Sequence, residues 1–123
     1  MKKFALVFFT LLSFFIISHE NWTPTKLSEE VAHAPSVLPD RVVLTWNNDP
    51  ATTQSVTWRT DTSVIAGLAE IAIANANGRA LKTSEYKATT TFFKSDINEA
   101  HYHNVTFSNL EPNTLYAYRV GDG

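Results

Sequence analysis

The sequence predicts an all-β sandwich, on three observations. Short runs alternate apolar and polar residues at period two, the repeat of a half-buried strand. Turn-forming clusters such as Asn47-Asn48-Asp49-Pro50 and Asn75-Ala76-Asn77-Gly78 separate those runs at sandwich-like intervals. The third is a corner near the end of the chain, Leu110-Glu111-Pro112-Asn113-Thr114, set between two alternating runs. A tyrosine just past such a corner can bury its ring and return its hydroxyl to a nearby backbone group, the tyrosine corner of Greek-key sandwiches. Tyr116 is the candidate, with Leu110, Pro112 and Thr114 forming the corner.

Taken in order, the chain opens with a targeting pattern. Met1-Lys2-Lys3 is basic, Phe4–Ile17 is apolar except for Thr10 and Ser13, and Ser18-His19-Glu20 returns to polarity. The 14-residue apolar run is shorter than a membrane span, which needs about 20 apolar residues, so residues 1–18 are expected to be a secretory signal peptide. Residues 19–38 carry Pro24 and Pro35 and a helical-looking piece over 26–31 too short to stand alone, and they are expected to be a linker.

The globular module is expected over 39–123, with six strand candidates. Val42, Leu44 and Trp46 alternate with Arg41, Val43 and Thr45. Val56 and Trp58 alternate with Ser55, Thr57 and Arg59. Ile71 and Ile73 alternate with Glu70, Ala72 and Ala74. Tyr86–Phe93 is rich in threonine and aromatics, which suits one strand. His101–Ser108 places Val105 and Phe107 on one face, and Thr114–Val120 does the same for Tyr116, Tyr118 and Val120. Trp46 and Trp58 are expected as core aromatics. A sandwich of the immunoglobulin or fibronectin III type has about seven strands. The last of them is the one not found, and it would pair with Thr114–Val120. That strand would otherwise leave an unpaired edge, so the native polypeptide is expected to continue past Gly123 and this chain to be an N-terminal fragment.

Composition narrows the function. The 44% hydrophobic content permits a real core. A net charge of −2 and a pI near 6.0, without a basic patch, argue against nucleic acid as a partner. With no cysteine, disulfides, thiolate catalysis and cysteine-ligated zinc are excluded. No Gly-x-Ser-x-Gly elbow marks a nucleophilic serine, and four glycines supply no phosphate-cradling loop.

Three segments carry a family resemblance. Pro39-Asp40-Arg41-Val42-Val43-Leu44-Thr45-Trp46 opens the module and Ser55-Val56-Thr57-Trp58-Arg59-Thr60 follows at hairpin spacing. His103 to Gly123 closes it with Leu110-x-Pro112-x-Thr114-x-Tyr116-x-Tyr118-Arg119-Val120-Gly121-Asp122-Gly123. Together these resemble the N-terminal fibronectin-III-like domain of purple acid phosphatases, which precedes a calcineurin-like metallophosphoesterase domain. The resemblance implies a secreted or periplasmic parent protein that hydrolyses phosphomonoesters at a two-metal site of iron with a second divalent metal (iron, zinc or manganese). Such a site activates water and clamps phosphate oxygens. Its ligands belong to the downstream domain, so the resemblance places no catalytic residue, metal ligand or cofactor in this chain. It makes that catalytic domain an intramolecular partner, with no membrane contact after leader removal.

Several residues invite sharper readings. His101 and His103 share a strand face and could ligate zinc or copper, although no carboxylate cluster lies near them in sequence; the alternative is that His103 caps the inner face continued by Val105 and Phe107. Gly121-Asp122-Gly123 mimics part of a metallophosphoesterase metal motif, but its place after a sandwich strand reads as a turn. Asn21-Trp22-Thr23 and Asn104-Val105-Thr106 are glycosylation sequons, meaningful only where exported proteins are glycosylated. The leading expectation is a noncatalytic sandwich domain of such a phosphatase, packed on the catalytic domain through a loop such as 47–53 or 61–67. The alternatives are a fibronectin III spacer or binding module of another exported protein, and a small exported protein that borrows its last strand from a partner.

Overall fold

The computed structural model describes residues 24–74 and 81–123. The expected leader, Asn21 and the 75–78 turn lie outside the described residues. After a short helix α1 (Glu29–Ala32), seven strands follow: β1 (Asp40–Thr45), β2 (Gln54–Thr60), β3 (Leu68–Ile73), β4 (Ser84–Lys87), β5 (Thr89–Lys94), β6 (Glu99–Phe107) and β7 (Tyr116–Gly121). They form two antiparallel sheets, one in the order β1-β2-β6-β5 and the other β4-β3-β7. No helix among the described residues is long and apolar enough to cross a membrane.

Period-two alternation sets the core. Val56 and Trp58 of β2 and Val105 and Phe107 of β6 point inward from one sheet, while Ala69 and Ile71 of β3 meet them from the other. Tyr86, Ala88, Leu110, Tyr116 and Val120 close around this cluster. The Tyr86 ring meets Phe107 edge-on at 5.2 Å, the arrangement that ring quadrupoles favour.

Two expectations are corrected here. The Tyr86–Phe93 run is two strands, not one, which raises the count from six to seven. At Ala88 the chain passes from one sheet to the other, and its N–H leaves the ladder to donate to the Gly67 carbonyl at 2.9 Å. Backbone extension and alternation persist through the switch, so the sequence pattern carries no mark of it. Trp46 is not a core residue: it lies just past the end of β1 and is 74% exposed. β1 is an edge strand with a register irregularity between Asp40 and Val43, where Arg41 adopts φ +48°, and Val42, Val43 and Leu44 all stay at the surface.

The segment before β1 is held against the module. Ser28 caps α1 by accepting from the Val31 N–H. The His33 carbonyl accepts from Arg59 Nη1 at 3.1 Å and from Asn98 Nδ2 at 3.2 Å, and the Ser36 carbonyl accepts from the Asp61 N–H at 2.8 Å. The Arg59 guanidinium is buried beneath this segment and grips Asp40 through two nitrogens, at 2.8 and 2.5 Å.

Candidate functional site

The period of β6 turns His101, His103, Val105 and Phe107 toward the second sheet. His103 is fully buried and stacks on Trp58, with ring centroids 5.3 Å apart. Two threonines bracket its imidazole. Thr60 Oγ1 lies 2.8 Å from Nε2, and Thr90 Oγ1 lies 2.9 Å from Nδ1. The Thr60 hydroxyl donates its own hydrogen to the Asp61 carbonyl at 3.0 Å. It therefore accepts from Nε2–H, which leaves Nδ1 to accept from Thr90. This is a neutral imidazole with both nitrogens satisfied. Burial, reinforced by His101 nearby, holds its pKa below the usual histidine value.

Gly67 forms the floor under this ring. A Cβ there would sit 2.6 Å from His103 Nδ1 and 2.8 Å from the Trp58 ring, so a side chain has no room. The His101 ring, 6.3 Å from that of His103, donates through Nδ1 to the Val64 carbonyl at 2.8 Å. A metal needs a free imidazole lone pair, and His103 has none. Among the described residues no group of three or more histidines or carboxylates converges.

The other residues singled out by the sequence lie apart from this pocket. At the opposite end, the Tyr116 hydroxyl accepts from the Glu111 N–H at 2.9 Å, Thr114 Oγ1 donates to the Pro112 carbonyl at 3.2 Å, and the Leu110 N–H donates to the Thr52 carbonyl. Asn109 and Asn113 take positive φ around that corner, as asparagine tolerates. Asn104 is exposed on the outer face, where its Nδ2 donates to Thr57 Oγ1 at 2.9 Å. Asp122 is exposed at the end of β7.

A family model described as "Purple acid Phosphatase, N-terminal domain" matches residues 39–123. The chain belongs to this family. No curated protein and no solved structure matches it. In this purple acid phosphatase N-terminal domain the described residues do not fit a two-metal centre, because both ring nitrogens of His103 are held by Thr60 and Thr90 and no group of three or more histidines or carboxylates converges among them.

What the domain does offer is an open side. Where Lys87-Ala88-Thr89 crosses between the sheets, one side of the sandwich is closed by the chain itself. The opposite side, between β1 and β7, is not. A cleft of about 620 Å³ opens there between Leu44 and Tyr118, reaching Ile71 and Phe107. A second of about 250 Å³ lies beside Pro39, Leu68 and Val120. Sequence reasoning missed Gly67 and the Arg59–Asp40 clasp. Both depend on register: Asp40 sits opposite Arg59 across the β1–β2 ladder, and neither residue announces the other in sequence.

Proposed function

We infer that this chain is the noncatalytic N-terminal sandwich of an exported purple-acid-phosphatase-like metallophosphoesterase, and that phosphomonoester hydrolysis belongs to a domain downstream of it. The family match over residues 39–123 carries this reading. The chemistry of the module supports it, since both nitrogens of the buried His103 are held by threonines and no group of three or more metal-ligating side chains converges among the described residues. The parent enzyme would hold iron and a second divalent metal in that downstream domain. The N-terminal apolar run supports export.

Two measurements test the reading. The purified chain is expected to leave p-nitrophenyl phosphate intact with or without added iron, zinc or manganese; metal-dependent turnover would overturn the noncatalytic assignment. Sequencing the native transcript past codon 123 is expected to reveal α/β strands ending in Asp and His metal motifs. Further sandwich repeats there would instead make the module a spacer.

A further inference from the structure

We propose that the free edge of β5 is a self-association surface, on which a second copy of this chain pairs its own β5 antiparallel across a two-fold axis and continues the four-stranded sheet. Among the described residues β5 pairs only with β6, in an unbroken register from Thr89 to Lys94. Its outer N–H and C=O groups are therefore offered along a regular strand. The other three edge strands carry devices that blunt an edge. β1 is interrupted by its register irregularity, where Arg41 takes φ +48°. β4 has only four residues, Glu85 and Lys87 among them, and β7 carries Arg119 in mid-strand. β5 reads Thr-Thr-Thr-Phe-Phe-Lys, without proline or glycine. Its one charge is at the end, where Lys94 Nζ donates to Glu99 Oε1 of the same copy at 2.7 Å.

The side chains select the occupant. Phe92 and Phe93 are consecutive, so they lie on opposite faces of the sheet, and each is 53% exposed. Phe92 meets the His101 ring and Phe93 the Tyr102 ring, both edge-on, at 6.0 and 5.8 Å. A ligand lying on one face covers one of them, whereas a strand along the edge reaches both. Residues directly opposite in a sheet share a face, so across a two-fold axis odd-numbered residues meet odd and even meet even. With the axis at Thr91, Phe92 falls opposite Thr90 of the second copy and Phe93 opposite its Thr89. Each ring then packs on a β-branched side chain, a favourable cross-strand pair. Lys94 falls opposite Ala88, where the chain leaves the sheet, so no like charges face each other. The strand is its own antiparallel match, which favours a second copy over an unrelated segment. A seam one strand long, ~20 Å, buries less than the ~1,200 Å² of a standard interface, so the dimer is reversible, with a Kd of about 10–100 µM.

Sedimentation equilibrium of the purified chain from about 10 µM to about 1 mM is expected to show a mass rising from monomer toward dimer. T91K and T91E each set like charges opposite one another at the axis, and each alone is expected to weaken the dimer about fivefold or more. Thr91 is exposed, so both variants should keep the wild-type thermal transition. Mixed in equal amounts they face lysine with glutamate and should restore the dimer, and T91V should keep it. Amide exchange across Thr89–Lys94 should slow about fivefold from the dilute to the concentrated sample while Tyr116–Gly121 stays unchanged. A chain that is monomeric throughout, charge variants that dimerise like the wild type, a mixture that stays monomeric, or protection at β7 in place of β5 would each overturn the proposal. The last result would assign association to the other sheet. No outcome bears on the family membership or on the noncatalytic reading.

Discussion

Gly67 and His103 are the residues on which the interior turns. The glycine is required by contact: a methyl group at 2.6 Å from an imidazole nitrogen and 2.8 Å from an indole carbon forces both rings to move, and both are fully buried. G67A is therefore expected to cost about 1–3 kcal/mol, read as a lower urea midpoint at unchanged slope. His103 makes the fold sensitive to mild acid. Its folded pKa lies below the ordinary 6.5, so as pH falls the unfolded chain takes up the proton first. The stability it contributes is complete above the unfolded value and is lost as pH falls through the folded one. The urea midpoint should drop between pH 7.5 and pH 5 in the wild type and drop less in H103Q, which keeps a donor and an acceptor but cannot titrate. Equal drops would place the acid sensitivity elsewhere.

At the scale of elements, the clasp between Arg59 and Asp40 joins the segment before β1 to the sheet. Arg59 is buried and always charged, so weakening its partner leaves a cation poorly compensated. Its hydrogen bonds hold the Asp40 carboxyl below the usual range. D40N is expected to cost about 1–3 kcal/mol. It should speed exchange of the Asp61 amide, which is bonded to Ser36 within the clasped segment. The Glu111 amide at the Tyr116 corner serves as the control and should not change. Uniform acceleration at both sites would mean global destabilisation instead of local release. The elements also show what sequence can carry. The alternation in β2, β3, β6 and β7 was legible because each of these strands turns one apolar face to the core. Trp46 misled because its alternation continues one residue past the pairing of β1, onto a surface no sheet covers. The β4–β5 split was hidden because a strand that changes partner does not change its period. The threonine cradle of His103 draws Thr60 and Thr90 from two strands on either side of β6, which only the register brings together.

For the whole molecule, the layout of the two sheets decides where a neighbour can sit. Pro39, just before β1, lines the same cleft as Gly121 to Gly123, so the start of β1 and the end of β7 lie at one end of the sandwich. Trp46 and Leu115, 74% and 77% exposed, mark the other end. That end carries two large apolar side chains that nothing among the described residues covers, so a neighbour that buried them would be stabilised by the apolar surface taken from water.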